Sequence, residues 1–206
     1  MIKKYEADLA FWVSERDEGM YYAINKGFSH SSGDIMCWIN SDDILWPDSL
    51  FYVADILTER DQRIHWLQGY PTVIDEQGEI LYQRDPVSCK DDFYNLKFVK
   101  DRAFIQQEST FWTRDLWNRS RAGLDTQYKL AADFDLWMQF FHFEKLYCTH
   151  QKLGAFRKRE GQKSADQEGY INEAKFSVEK HKTKLSFVDK LKVRYLTKSG
   201  KINWID

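Results

Sequence analysis

The stretch DIMCWINSDDILWPDSL, from Asp34 to Leu50, joins an apolar run to two adjacent carboxylates. The run from Ile35 to Asn40 predicts a buried strand, and its near-continuous apolarity is typical of a parallel sheet covered on both faces. Asp42 and Asp43 follow at the carboxyl end of that strand, where open α/β sheets bind their ligands. Adjacent acids repel each other and lose solvation near a core, so they need a metal ion, a cation or a helix-capping role.

The composition indicates a globular protein of one domain, or of one domain with an appendage. Of its 206 residues 43% are hydrophobic and 30% charged, and we expect the 16% aromatic residues to serve core packing before sugar stacking. The three cysteines lack metal-ligand spacing, and no signal peptide follows Met1, so we expect a reducing, cytoplasmic setting.

Charge is unevenly distributed along the chain. The net charge is −2, yet residues 175–201 contain nine Lys or Arg against two acids. Such a basic segment with interspersed apolar residues suits either an anionic membrane surface or a solvated helix over the core. The acidic remainder disfavours nucleic-acid binding.

Apolar runs alternate with helical patterns, which predicts an α/β arrangement that begins with a strand–helix–strand unit. Residues 85–102 are mixed and polar, and we expect them to form a mobile connection. Predicted strands are Ala10–Ser14, Ile35–Asn40, His65–Ile74, Ile80–Arg84, Phe104–Trp112 and Lys145–Phe156, the third and fourth forming a hairpin, and predicted helices are Met20–Phe28, Pro47–Glu59, Arg114–Ser120 and Asp133–Phe143.

Two interpretations of the acid pair rest on the local residues alone. A haloacid-dehalogenase-like phosphatase needs an Asp nucleophile first in a D-x-D-x-T/V run, but Asn40 stands first here. Capping by Asp42, Asp43 and Asp48 in a turn before a helix stays open. No Gly-rich or Walker-type phosphate loop is present, so any phosphate binding has to use a metal ion.

Several motifs in order carry a more specific resemblance. The stretch WVSERDEGMYYAINKGFSHSSGDIMCWINSDDILWPDSL, residues 12–50, closely resembles the inverting family 2 glycosyltransferases, with a W-x-S-E-x-D-x-G loop, an A-x-N-x-G helix and a DxD-like W-x-N-S-D-D strand end. FIQQESTFWTRDLW (104–117), GLDTQYKLAADFDLWMQF (123–140) and FRKREGQKS (156–164) resemble the acceptor-side strand, the acidic helix start and the closing loop of the same family.

The resemblance implies a glycosyltransferase A-type fold, similar to nucleotide-diphospho-sugar transferases, with a mixed, mainly parallel sheet flanked by helices. Residues 1–164 would form this domain and residues 165–206 a basic helical tail. The family's first strands have no counterpart in this sequence, so we expect a domain that is truncated at its N-terminus.

The resemblance also implies a site. Asp42 would bind a Mg or Mn ion that neutralises the diphosphate leaving group. Asp133 would take the proton of the acceptor hydroxyl, although a helix-capping role for it stays open. The implied donor-binding residues are Glu15, Asp17, Asn25, Lys26, Asp43, Arg157, Gln162 and Lys163, and the implied acceptor-binding residues are Gln107 and Glu108.

Two residues depart from the family pattern. Tyr22 stands where the helix motif usually has Asp, which weakens the contact to the donor sugar. Arg159 stands where the closing loop commonly has His. A permanent cation in place of imidazole favours phosphate contact over metal ligation.

The function implied is transfer of a sugar, with inversion, from a nucleotide diphosphate sugar to a glycan or lipid-linked acceptor in bacterial capsule or lipopolysaccharide synthesis. A UDP-sugar is favoured over a GDP-sugar or dTDP-sugar, and the basic tail would contact the inner face of the membrane. The alternative is an inactive remnant or interaction module that pairs with a second copy through an exposed sheet edge. A metal-dependent phosphohydrolase lacks its nucleophile.

Overall fold

A computed structural model of the chain contains two four-stranded sheets with helices packed against them, which confirms the predicted α/β class. The structure describes residues 2–60, 64–101, 104–120, 123–161, 166–185 and 200–205. The strands are β1 (Ile35–Met36), β2 (Ile44–Leu45), β3 (Trp66–Gln68), β4 (Thr72–Ile74), β5 (Ile80–Gln83), β6 (Thr110–Thr113), β7 (Tyr147–Cys148) and β8 (Gly154–Arg157). The α-helices are α1 (Met20–His30), α2 (Ser49–Ala54), α3 (Lys90–Tyr94), α4 (Lys97–Asp101), α5 (Arg114–Ser120), α6 (Ala132–Phe140) and α7 (Gln167–Lys182).

Both sheets are mixed. Their strand orders are β1-β6-β3-β7 and β2-β8-β4-β5, and β3 pairs with β7, and β4 with β8, in parallel. The other pairings are antiparallel, so parallel pairing does not predominate among the described strands. The apolar run at β1 is nevertheless covered on both faces, because Met36 lies in one core cluster and Ile35 packs against the other. Burial on two faces therefore does not require a parallel neighbour.

The predicted strand Ala10–Ser14 is wrong. These residues lie outside the described helices and strands, and the side chains of Phe11 and Val13 stay about half exposed. A strand needs a neighbour for its backbone groups, and no described strand lies beside this segment. The expected strand–helix–strand unit around α1 is thus missing from the part of the chain that the structure describes.

Two predicted strands are each divided. His65–Ile74 forms β3 and β4, which belong to different sheets, because the chain turns at Gly69–Pro71. A Cβ at Gly69 would lie 2.6 Å from side-chain atoms of Leu153 and Ser109, so this close approach requires glycine. Lys145–Phe156 likewise forms β7 and β8. The β4–β5 hairpin is confirmed.

The helical predictions are mostly confirmed. The helices α1, α5 and α6 begin and end within a few residues of their predicted bounds, and α2 continues into a π-helical turn, Asp55–Arg60. Asp48 stands before α2 with φ +62° but makes no side-chain capping bond, so its predicted capping role is wrong. The link over residues 85–102 contains α3 and α4, and the predicted strand at Phe104–Trp112 opens with a 3₁₀ turn, Gln107–Ser109.

Aromatic side chains fill the main core, as their abundance predicted. Trp66, Trp112 and Trp137 are fully buried, and Trp38 stacks on Trp137 at 6.0 Å between ring centroids. Helix α7 packs along α6 and buries Ala174 and Val178 in the same core cluster. No helix in the described ranges combines the length and apolarity needed to cross a bilayer.

Candidate active site

The turn after β1 is braced to the neighbouring sheet. The Asp43 carboxylate accepts hydrogen bonds from Asn40 Nδ2 and from the main-chain N–H of Arg157, each at 2.9 Å. Burial raises the pKa of Asp43, while these two hydrogen bonds oppose the rise. The antiparallel pairing of β2 with β8 brings Arg157 to this position. The predicted strand-end site is therefore held by contacts far apart in sequence.

Arg157 acts as a clamp on main-chain carbonyl groups. Its Nε donates to the carbonyl oxygen of Asp42 at 2.7 Å, and Nη1 donates to those of Asp75 and Glu76 at 2.8 and 2.9 Å. The guanidinium thereby connects the strand-end turn to the turn of the β4–β5 hairpin. We predicted Arg157 as a donor-binding residue; these contacts show it positioning the turn on which Asp42 and Asp43 lie.

A second arginine faces the carboxylate of Asp42. The guanidinium nitrogen Nη2 of Arg159 lies 2.9 Å from Asp42 Oδ2, and the two side chains are 51% and 18% exposed. A positive charge thus already stands where the resemblance places a metal ion. The arginine side of the pair is half exposed, so solvent competes with the carboxylate for the guanidinium.

Glu108 is the most deeply buried acid near this turn. It is 5% exposed, and its Oε1 has no hydrogen-bond partner in the described part of the chain. Burial, with repulsion from Asp43 and Asp133, raises the pKa of Glu108 to about 8. Strand β8 lies directly against its main chain, because a Cβ at Gly154 would collide with the Glu108 carbonyl oxygen.

Asp133 lies in the first turn of α6, whose N-cap is Ala131, so the alternative that Asp133 is the cap is wrong. The hydroxyl of Tyr170 on α7 donates to its two carboxylate oxygens at 3.2 and 3.3 Å. The residue as a whole is partly exposed, and burial of its carboxylate raises the pKa of Asp133 to about 6. Glu108 interacts electrostatically with both Asp43 and Asp133, and these three acids are called the acidic row below.

Asp135, two residues further on, faces a different environment. It is fully buried and accepts hydrogen bonds from Tyr128, Gln139, Ser177, Lys180 and His181. Those contacts hold its pKa well below the usual range of an aspartate. Its role is to join α6 to α7, whereas Asp133 lies toward the acidic row.

The predicted donor-binding residues before and within α1 all contact other groups of the protein. Lys26 forms an ion pair with Glu15, and Asp17 accepts from the N–H of Gly19 at 2.9 Å. The Asn25 amide bridges the main-chain N–H and C=O of Leu124 at 2.9 and 2.8 Å. These contacts order the segment before and within α1.

On the acceptor side, the Gln107 side chain donates to the carbonyl of Trp38. Gln162 and Lys163 lie outside the described residues. Tyr170 is the site residue that the sequence did not indicate, because it lies on α7, beyond the matched motifs, and reaches Asp133 only through helix packing.

The acids of the site cannot build a complete metal cage from protein ligands. In the described ranges no three His, Cys, Asp or Glu side chains converge on one metal position. Asp42 nevertheless offers a carboxylate oxygen that already faces a cation. A divalent ion at this carboxylate would have to take its other ligands from a diphosphate and water, as Mg²⁺ commonly does.

Comparison with known proteins gives a consistent result. The family model described as Glycosyl transferase family 2 matches residues 1–121. An uncharacterised glycosyltransferase of Rickettsia prowazekii (strain Madrid E) is 26% identical over 152 residues, covering 71% of this chain and 46% of that protein. One of Mycobacterium tuberculosis (strain CDC 1551 / Oshkosh) is 28% identical over 131 residues, covering 62% of this chain and 46% of that protein.

Among solved structures, residues 1–349 of S. aureus TarS in complex with UDP-GlcNAc superpose with a TM-score of 0.67. The match covers 93% of this chain and 56% of that TarS chain at 15% identity, so it supports the fold alone. The chain spans about half the length of the curated relatives it matches.

Proposed function

The chain belongs to glycosyl transferase family 2 and has its A-type fold, and from that premise we propose that it transfers a sugar from a nucleotide diphosphate sugar to an acceptor hydroxyl with inversion. The observation that carries the proposal is the acidic row, in which Glu108 interacts electrostatically with Asp43, the neighbour of Asp42, and with Asp133 from a third segment of the chain. Sugar transfer needs acids for two tasks there, binding a cation and removing a proton.

Asp133 is the proposed base. A carboxylate with a pKa of about 6 is mostly ionised at neutral pH, yet it is more basic than an ordinary aspartate. The residue keeps a partly exposed side, and the hydrogen bond from the Tyr170 hydroxyl orients the carboxylate. Attack by that hydroxyl on the face opposite the leaving diphosphate gives inversion. Gln107 and the protonated Glu108 would line the acceptor side.

The donor side uses Asp42 and Asp43. A Mg or Mn ion at Asp42 would supply positive charge to the diphosphate as the glycosidic bond breaks. Asp43 and Arg157 stabilise the turn on which Asp42 lies, through the Arg157 N–H bond to Asp43 and the Arg157 Nε bond to the Asp42 carbonyl. Glu15, Asp17, Asn25, Lys26, Gln162 and Lys163 remain proposed donor contacts. The solved TarS complex contains UDP-GlcNAc, which favours a UDP-sugar here over a GDP-sugar or dTDP-sugar.

The proposed setting is bacterial surface polysaccharide or lipopolysaccharide synthesis at the inner face of the membrane. A glycan or lipid-linked acceptor would be met there by the basic tail of residues 165–206, part of which lies outside the described residues. A homodimer is the remaining partner proposal. The exposed edge strand β5, whose Ile80, Leu81 and Tyr82 are about half exposed, offers a pairing surface for it.

Calorimetric titration of UDP, and then GDP, into the chain with Mn²⁺ tests the donor proposal. We expect UDP to bind, and Asp42→Asn to weaken binding at least about tenfold, because the ion loses its carboxylate. Asp91→Asn, a substitution of the same type on α3, is the matched control and should bind as the unmodified chain does. Absence of UDP and GDP binding in the presence of Mn²⁺ would instead support a non-catalytic interaction module.

A further inference from the structure

Arg159 stands at the one carboxylate proposed to hold the cation. Its guanidinium nitrogen lies 2.9 Å from Asp42 Oδ2, and half of its side chain is exposed. The loop that carries Arg159 follows β8, whose pairing with β2 and whose Arg157 clamp fix the loop beside the strand-end turn. The position of Arg159 is therefore set by the same contacts that build the site.

The charge of Arg159 bears directly on cation binding. A guanidinium stays protonated at all relevant pH values. A divalent ion that approaches Asp42 has to displace this group or bind beside it, and like charges a few ångströms apart repel even in water. Because the guanidinium is half exposed, the arginine can exchange partners when a better anion arrives.

A nucleoside diphosphate is such an anion. Guanidinium groups form charge-assisted, bidentate hydrogen bonds with phosphate oxygens, and these are stronger than an exposed pair with one carboxylate oxygen. A diphosphate that binds at the strand end would therefore take the guanidinium and leave the Asp42 carboxylate to the metal ion.

We propose that Arg159 is a built-in counter-ion of Asp42, which keeps divalent cations off the empty site and passes to the diphosphate when nucleotide and cation bind together. The inference rests on the proposed function for the identity of the anion. It makes cation binding and nucleotide binding mutually dependent, as linkage requires of any such coupling.

The decisive measurement is the affinity of Mn²⁺ alone, without nucleotide, by calorimetric titration. Arg159→Gln should bind Mn²⁺ about tenfold more tightly than the unmodified chain, because the competing charge is gone. Arg159→Lys keeps the charge and should change the affinity less than about twofold. The matched control is Arg119→Gln on α5, which also removes an arginine paired with a carboxylate but lies away from the site; its affinity should not change.

The double variant Asp42→Asn/Arg159→Gln locates the effect. It should lose the gain in Mn²⁺ affinity, and a gain that survives without the Asp42 carboxylate would overturn the proposal. Equal Mn²⁺ affinity in the unmodified chain and in Arg159→Gln, or no Mn²⁺ binding to either, would overturn it as well. Circular dichroism of each variant shows that the comparison is made between folded proteins.

Nucleotide titrations separate this inference from the proposed function. With Mn²⁺ present, UDP should bind the unmodified chain more tightly than without it, and Arg159→Gln should reduce that enhancement by at least about threefold. If UDP binds no variant while Arg159→Gln still gains Mn²⁺ affinity, the counter-ion role stands and the donor proposal fails. If UDP binds the unmodified chain but Mn²⁺ affinity ignores Arg159, the donor proposal stands and the counter-ion role fails.

Discussion

Asp133 and Glu108 are two acids of the proposed site whose pKa values the fold raises. Burial raises the pKa of both, to about 6 and about 8, but only Asp133 has a neighbouring hydroxyl that stabilises its charged form. At neutral pH the first is therefore mostly a base and the second mostly a neutral acid. These two acids of the proposed site thereby acquire different protonation states from their surroundings.

Tyr170→Phe should shift the acid limb of the transfer reaction toward higher pH. The Tyr170 hydroxyl lowers the pKa of Asp133, so its removal keeps the base protonated over a wider acidic range. The measurement is kcat/KM from about pH 5 to about pH 8, where the unmodified enzyme should lose activity as the pH falls through about 6. Asp133→Asn should lower kcat by a factor of about 10²–10⁴ across that range.

An acid limb that stays in place in Tyr170→Phe would show that Asp133 is not the group being titrated. Tyr128→Phe is the matched control, since Tyr128 donates its hydroxyl to Asp135 instead. It should leave the position of the acid limb unchanged.

Glu108→Gln should stabilise the protein at alkaline pH. A folded pKa of about 8 lies above the ordinary value of 4.5, so the folded state binds the proton more tightly than the unfolded state does. The free energy of unfolding therefore falls as pH rises between those values, and a neutral glutamine avoids that loss, by about 1–3 kcal/mol at pH 8. Urea unfolding at pH 5 and pH 8 measures the difference.

The control is Glu79→Gln in the exposed hairpin turn, which should leave the free energy of unfolding unchanged at both pH values. A loss of stability for Glu108→Gln that is equal at the two pH values would mean that the Glu108 carboxylate is satisfied in the folded state.

Single residues of the site could be predicted where they follow a motif in sequence. The resemblance singles out Asp42, Asp43 and Asp133, and the last two interact electrostatically with Glu108 in the structure. The contacts of Arg159 and Tyr170 could not be predicted, because each depends on a register or a helix packing that joins distant segments. Local sequence does not specify such geometry.

At the scale of elements, helices α6 and α7 are joined by the fully buried Asp135. Its donors come from α6 itself, from α7 and from the segment before α6. Because this carboxylate is paired and hydrogen-bonded, its burial is tolerated, and the removal of its charge would take a buried partner from Lys180 and His181. The orientation of Tyr170 toward Asp133 depends on the same packing.

Asp135→Asn should destabilise the protein by about 3–5 kcal/mol, since it leaves Lys180 and His181 without their buried counter-charge. Asp125→Asn removes the other carboxylate partner of Lys180 at a more exposed position and should cost less than about 1 kcal/mol. Chemical denaturation of both variants gives the comparison. Equal, small costs would show that Asp135 does not hold the two helices together.

Helices were easier to predict than strands for a physical reason. The periodic patterns of α1, α5 and α6 are local properties of the sequence. A strand exists only where another strand pairs with it, which is why the apolar segment Ala10–Ser14 forms none and the run His65–Ile74 is shared between two sheets. Apolar content alone could not separate these cases.

At the scale of the whole molecule, the last described residues complete a sheet edge. Cys148 of β7 donates its N–H to the carbonyl of Asn203 at 2.9 Å and accepts from the N–H of Ile205 at 3.1 Å. Trp204 lies in a parallel bridge with Cys148 and stacks on His150 at 3.9 Å. Residues 200–205 thus cover an edge that would otherwise present unpaired backbone groups.

Deletion of residues 200–206 should lower the melting temperature by at least about 4 °C and promote self-association, because it uncovers the β7 edge. Thermal unfolding and size-exclusion chromatography measure the two effects. Lys201→Ala, which changes only an exposed side chain of the same segment, is the control and should behave as the unmodified chain. A monomeric deletion variant with an unchanged melting temperature would contradict the role assigned to this segment.

The buried indole rings carry an optical consequence. Trp38, Trp112, Trp137 and Trp66 form a connected series with centroid distances of 5.6–6.0 Å, and Trp38 is tied to Gln107 through its carbonyl oxygen. Fixed aromatic packing gives a near-ultraviolet circular dichroism signal that disappears when tertiary structure loosens. Trp38 lies shortly before the strand-end turn. A change in its contribution to the near-ultraviolet spectrum would therefore report binding at Asp42 without an added label.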